Sequence, residues 1–263
     1  MPGAGVSSTS ISPGPIIEGP ARANVLGVPV DRCTRRQALE RCEAATTSNP
    51  LQVVTLNPEM VMQARRQPEL AQAIRAAGLI LPDGAGVVWA SRRLRSPVSA
   101  RIAGADFLAD LAGMAAAQGG SIFLLGGAPG VAEAAAQTLQ LEYPGLQVAG
   151  VWSGSPAADE APVIVSRIRS AGATLLAVAF GVPQQDLWLA RHLAATGARV
   201  GIGVGGTLDY LAGRVPRAPA VLRRAGLEWS FRLARQPWRL PRMLRGAPFF
   251  WAVARESHRS SSR

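Results

Sequence analysis

The chain is predicted to be an α/β protein, a Rossmann-like, mostly parallel sheet covered by helices, with a basic, amphipathic helical appendage at its C-terminal end. Two observations predict the sheet. From Asn24 onward, short runs rich in Val, Ile and Leu alternate with Ala-rich stretches, the order produced when parallel strands are joined by crossover helices. Helix-start signals follow two of those runs closely: Thr34 with Gln37 fits a capping box, and Asn57 followed by Pro58 fits an N-cap and first helical position. A third observation predicts the appendage. After Gly213 the alternation stops, and Arg, Leu, Trp and Pro take over.

The predicted strands are "VLGVPV", "LQVVTL", "GLIL", "SIFLLG", "LQVAGV", "TLLAVAF" and "RVGIGV". Helices are expected to begin at Thr34, Pro58, Ala105, Gly130, Ala161 and Pro183. Beyond residue 214, Leu222, Ala225, Trp229 and Leu233 recur at helical spacing and make one apolar face, fit to pack on the body or to lie in a lipid interface. Arg232, Arg235, Arg239 and Arg242 follow a similar rhythm, although Pro237 and Pro241 interrupt a single continuous helix. The expected organisation is therefore a disordered leader over 1–23, the Rossmann-like domain over 24–213, a cationic membrane-associating appendage over 214–247 and a flexible tail over 248–263.

Charge sharpens the boundary. Residues 214–263 carry 12 of the 28 basic residues against Glu228 and Glu256, so almost all of the net charge of +11 lies there. A near-neutral body with a cationic end points to an anionic surface or substrate engaged at that end. The Ile- and Pro-containing start lacks the basic and apolar regions of a secretory signal. The longest uncharged run, Leu111 to Ala132, contains Gln118, Gly119-Gly120 and Pro129, so it is expected to form helix, turn and buried strand rather than a membrane span. Cys33 and Cys42, nine residues apart in a predicted helical stretch, are badly placed for a disulfide and are expected to be reduced cytoplasmic thiols.

Ligands in open α/β sheets bind beyond the carboxyl ends of strands, so polar residues closing an apolar run are the candidates. Thr55 and Asn57 close one run, and Asp83 closes another in a Pro-Asp-Gly turn. Gln184, Gln185 and Asp186 follow a third, and a glycine cluster precedes Asp209 after a fourth. Cap and turn duty explains each of them equally well. Gly126-Gly127 and Gly203 to Gly206, including Gly205 and Gly206, permit close backbone approach to a phosphate, although neither cluster is a dinucleotide fingerprint or a P-loop. The chain has no Asp-x-Asp motif, and its two histidines, His192 and His258, stand outside any ligand cluster, so no metal and no cofactor are expected.

In order along the chain, "TLNPEMVMQA", "LPDGAGVVWAS", "RIAGADFL", "FLLGG", "FGVPQQDLW", "GVGGTLDYLAGRVPRAP" and "GLEWSFRLARQPWRLPRM" resemble the WecG/TagA/CpsF family of bacterial glycosyltransferases, over about Leu26 to Arg245. The resemblance implies a cytoplasmic protein, peripheral on the inner face of the plasma membrane. It also implies inverting, metal-independent transfer of a sugar from a UDP donor to a polyprenyl-diphosphate-linked sugar during surface polysaccharide synthesis. N-acetylmannosamine or a related hexose or uronic acid is the sugar so implied. By the same resemblance Asp83 is the general base, Thr55 and Asn57 line the pocket beside it, Gln185 faces the substrate and Asp209 is a further pocket acid. Gln184 stands where the family commonly has a basic residue.

Arginine's planar fork suits diphosphate oxygens, which makes Arg232, Arg239 and Arg242 the candidates for the leaving group, alongside attraction to anionic lipid. Trp229, Phe231, Trp238, Phe249, Phe250 and Trp251 add interfacial aromatics, with Trp229 the first choice among them for core packing. Homo-oligomerisation is left open. A rival reading makes the basic end a nucleic-acid-binding or nucleotide-binding module, against which stand its amphipathic mix of Arg with Trp, Phe and Leu and its lack of a groove-binding motif. A dehydrogenase is disfavoured by the missing fingerprint.

Overall fold

The computed structural model describes residues 21–261 except 220, 223–227, 236, 238, 239, 241–243 and 245, and of 232, 260 and 261 only the backbone. The predicted leader therefore lies outside the described residues apart from its last three positions, and Arg22 already belongs to a strand. β1 (Arg22–Val25) and β2 (Val28–Asp31) form an antiparallel hairpin, where a single strand was predicted across "VLGVPV". Leu26 and Gly27 both take positive φ, 55° and 88°, the geometry that closes a two-residue hairpin loop. Asn24 Oδ1 accepts the Gly27 N–H at 2.7 Å. Asp31, fully buried, joins this hairpin to the sheet: it pairs with Arg22 at 2.9 Å and accepts the Ile80 N–H at 2.8 Å.

After the hairpin come α1 (Arg35–Glu43), β3 (Leu51–Leu56), α2 (Pro58–Ala64), α3 (Pro68–Ala76), β4 (Leu79–Pro82), α4 (Ala85–Arg93), α5 (Gly104–Ala117), β5 (Ser121–Gly126) and α6 (Val131–Glu142). The body closes with β6 (Gln147–Trp152), α7 (Ala161–Ala171), β7 (Leu175–Ala179), α8 (Gln184–Thr196), β8 (Val200–Gly203) and α9 (Thr207–Leu211). The capping box of α1 is present, with Thr34 accepting the Gln37 N–H, and Asn57 caps α2 through the Met60 N–H. Helices α3, α4 and α9 were not anticipated. Among them α3 separates from α2 at Gln67, where Pro68 starts a new helix in its first turn. Cys33 lies before the Thr34 cap rather than inside the helix. Both cysteines are free and buried, and burial pushes the thiols up to about 11 at Cys33 and about 12 at Cys42.

β3 to β8 make a six-stranded parallel sheet in the order β4-β3-β8-β7-β5-β6. Its two faces follow from strand alternation. Ile122 and Leu124 of β5, Leu175 and Ala177 of β7, and Val200 and Ile202 of β8 join Phe107, Leu111 and Leu139 in one core. The intervening Phe123, Leu125, Leu176 and Val178 point the other way and meet Ile164, Ile168, Trp188 and Leu193. Gly201 is required for that second layer, because a Cβ there would stand 2.7 Å from Leu189 and Leu193 side-chain carbons. Leu111 to Ala132 is, as expected, helix, turn and buried strand. Among the described residues no helix is long and apolar enough to cross a membrane.

A third core holds the hairpin valines, Val54, Leu56, Ile80, Met60, Val61, Leu70, Ile74, Val87, Phe249 and Val253. Its last two members overturn the expected flexible tail. Two helices follow the body, α10 (Glu228–Arg235) and α11 (Pro248–Ser261), and α11 packs on α2 and α4. Phe249, Val253 and Ser257, spaced four apart, are all buried, so this segment has a stripe of its own to bury. Trp229, the aromatic expected in the core, is instead exposed.

Candidate active site

Because every strand of the large sheet is parallel, all the carboxyl ends lie on one edge, and the sequence candidates of residues 24–213 gather there. β3 and β4 pair in register with Thr55 opposite Leu81 and Leu56 opposite Pro82. The Asp83 N–H donates to Leu56 C=O at 2.8 Å. Asp83 and the Thr55 to Asn57 segment are thus adjacent strand tips. Asp83 is half-buried, and its turn exits through Gly84 at φ 94°, the residue that precedes α4. Asn57 spends its side-chain oxygen on the Met60 N–H at 2.9 Å. Thr55 is nearly buried; its hydroxyl reaches Gly203 C=O at 3.4 Å, tying the β3 tip to the β8 tip.

β8 ends in the glycine turn, and Gln185 shapes it. The side chain is buried, and its Oε1 accepts the Gly205 N–H at 2.9 Å. A Cβ on Gly203 would stand 2.6 Å from Gln185 Nε2, so only glycine fits. Gln185, expected to face the substrate, thus holds the glycine turn at the β8 tip through the Gly205 N–H. Next to it Asp186 is fully buried, and its backbone C=O accepts Gln52 Nε2 at 2.9 Å. Neither Asp186 carboxyl oxygen has a hydrogen bond of good geometry among the described residues. Burial pushes the group up to about 7, opposed by weaker contacts with the Gln185 side chain and its own backbone.

Gly126 and Gly127 also reach this edge, with φ of 94° and 83°, but protein fills the space beside both. A Cβ on Gly126 would meet the Ala179 backbone and Phe180 at about 3.0 Å, and one on Gly127 would touch Val131. Packing thus limits side-chain size at Gly126, whereas at Gly127 the neighbours stand at ordinary contact distance. Gly205 takes φ 49° and Gly206 precedes α9, whose first turn carries half-buried Asp209.

Sequence reasoning passed over Arg101. It stands in "RIAGADFL" just ahead of α5, where Ile102 N–H donates to Pro82 C=O at 3.0 Å, and it pairs with Glu228 in the first turn of α10 at 2.9 Å. An arginine directly before a helix at a strand-end loop was the available signal. The C-terminal segment comes to the same edge: a Cβ on Gly246 would lie 3.9 Å from the Glu59 N atom, and one on Gly86 would lie 3.6 Å from Phe250 Cζ. Arg239 and Arg242 lie outside the described residues, as does the side chain of Arg232. Among the described residues there is no cluster of three or more His, Cys, Asp or Glu side chains fit to hold a metal.

Residues 23–263 match the glycosyl transferase WecG/TagA/CpsF family as a whole. The chain belongs to that family. It is therefore a glycosyltransferase, and the dehydrogenase reading falls. Relatives from Staphylococcus aureus strains MW2, MRSA252 and NCTC 8325 / PS 47 are each 34% identical over 233 residues, covering 88% of this chain and 91% of the relative. Each of those proteins is an N-acetylglucosaminyldiphosphoundecaprenol N-acetyl-beta-D-mannosaminyltransferase. The nucleic-acid reading of the basic end finds no support in them.

Proposed function

We propose that this glycosyltransferase moves N-acetylmannosamine from a UDP donor to N-acetylglucosamine carried on undecaprenyl diphosphate, with inversion at the anomeric carbon. The observation that carries the reading is the meeting of Asp83 with the Thr55 to Asn57 segment at two paired strand tips. An inverting transfer needs one base at the attacking hydroxyl and an electropositive cradle for the departing diphosphate. Asp83, half-buried on the open edge, takes the proton of the acceptor hydroxyl as that oxygen bonds to the anomeric carbon and the carbon–oxygen bond to UDP breaks. Asn57, its oxygen occupied by the α2 cap, turns its amide NH₂ to the sugar, and Asp209 receives hydroxyl donors from the far side. Gln185 contributes by holding the Gly205 amide in place. Arg232, Arg239 and Arg242 take the diphosphate charge.

The same reading places the protein on the inner face of the membrane as a peripheral enzyme, because its acceptor is lipid-linked. Exposed Trp229, Leu240, Leu244, Phe250 and Trp251, in a segment rich in Arg, suit a headgroup interface. Purified protein offered UDP-N-acetylmannosamine and a GlcNAc-diphosphate lipid tests the reading. Asp83→Asn is expected to lower turnover by about 100-fold or more; turnover at the wild-type rate would remove Asp83 from the reaction.

A further inference from the structure

Among the described residues, two ion pairs join the C-terminal segment to the body, and both grip the same short stretch of chain. Glu228 of α10 binds Arg101, Nη2 to Oε2, at 2.9 Å, with side chains 16% and 24% exposed. Arg217, in the link that follows α9, binds Asp106 at 2.6 Å, with side chains 30% and 33% exposed. Arg101 and Asp106 bracket the stretch that enters α5. Between them that stretch backs both strand tips of the candidate site. Ile102 N–H donates to the C=O of Pro82, the residue before Asp83, at 3.0 Å. Gly104 lies so close to Thr55 that a Cβ would stand 2.9 Å from Thr55 Cγ2 and 3.3 Å from its hydroxyl oxygen.

Solvated surface pairs contribute little, but these are not fully solvated. Arg217 Nε is buried with no hydrogen-bond partner among the described residues, a desolvation that its bond to Asp106 offsets. Nor is there slack beneath the stretch: the Thr55 contact leaves no room even for a methyl group, so a shift of residues 101–106 displaces Thr55 or the Pro82–Asp83 turn.

We propose that Glu228 and Arg217 are positioning residues, which clamp residues 101–106 through Arg101 and Asp106 and thereby hold Thr55 and Asp83 in register when the C-terminal segment is docked. Arg217 and Glu228 then have a role apart from lipid and diphosphate: through residues 101–106 they brace the two strand tips from behind. This rests on the transferase reading of the Thr55 and Asp83 edge.

The test is charge reversal in the full-length protein, with UDP-N-acetylmannosamine and a GlcNAc-diphosphate lipid in vesicles. Misplacement of catalytic groups by about 1 Å costs up to about 100-fold, so Asp106→Arg and Arg217→Asp are each expected to lower kcat by about tenfold or more with donor KM nearly unchanged. Combined, they are expected to restore most of the lost kcat. Wild-type kcat in both single variants, or a double variant no better than either, overturns the clamp. If the reversals do not fold, Glu228→Gln and Arg217→Gln are compared by hydrogen exchange, where faster exchange confined to residues 101–108 is expected and unchanged exchange overturns the proposal. Exchange needs no turnover, so a wild-type protein inactive on these substrates would sink the functional reading while leaving the clamp separately tested.

Discussion

The body and the C-terminal segment are held by different physics. In the body, β5 and β7 bury side chains on both faces, and successive residues of one strand serve two cores. Among the described residues, the C-terminal segment meets the body through the Arg217–Asp106 and Glu228–Arg101 pairs, a bond from Arg214 to Pro129 C=O, the Phe249 and Val253 stripe of α11, and Phe250 against Trp89, among other contacts. A sheet strand is fixed by hydrogen bonds and packing along its whole length, whereas an appendage attached at points moves when one point is lost. The difference teaches that the charge concentrated in this segment is not all available to a membrane, since Arg217 and Arg214 are spent on the body.

The largest expected effect on folding comes from Phe249→Ala. Phe249 fills the core beneath α2 and α4, so its removal is expected to cost about 3–5 kcal/mol, measured by denaturant unfolding. A loss under about 0.5 kcal/mol, typical of surface changes, would return α11 to the status of a loose tail and break the comparison.

Asp186→Asn sharpens it from the side of the body. The Asp186 carboxyl is pushed up to about 7 by burial, so as pH rises from about 4 the unfolded chain gives up its proton first and the native state is penalised progressively, with the penalty complete above about pH 7. Each unit of displacement corresponds to about 1.4 kcal/mol. The variant is therefore expected to gain stability relative to wild type between pH 4 and 8 and to gain little below pH 4. A pH-independent difference would mean that Asp186 is ionised, and paired, throughout.

The smallest effect is local. Thr34→Ala removes the capping-box hydroxyl of α1 and is expected to cost about 1 kcal/mol without changing activity, a reference for how little a surface helix end of the body contributes beside the α11 anchor.

How much was legible follows the same division. Six of the seven predicted runs are strands of the parallel sheet, and in all of these but the edge strand β6 burial leaves a compositional trace along the run. Thr55, Asn57, Asp83, Gln185 and Asp209 could be singled out because they close such runs. The hairpin could not be foreseen, since "VLGVPV" carries the apolar pattern of one strand and only the backbone at Leu26 and Gly27 breaks it. Gln185 was expected to face the substrate, but its bond to the Gly205 N–H and its packing beside Gly203 could not be read from the sequence. The stripe in α11 was present in Phe249, Val253 and Ser257, yet the Arg-rich surroundings masked it.

By itself, then, the order of residues determined the α/β class, the strand ends, the helix caps at Thr34 and Asn57, and the confinement of positive charge after residue 214, because each depends on neighbours within a turn or two. Only the tertiary structure decided which glycines serve packing, which way Gln185 points, that Asp186 loses its solvent, and that Glu228 and Arg217 reach back to Arg101 and Asp106. Those outcomes join residues from 20 positions apart, for Gln185 and Gly205, to 127 apart, for Arg101 and Glu228, and such partners are selected by shape and burial in the folded chain, which local spacing does not encode.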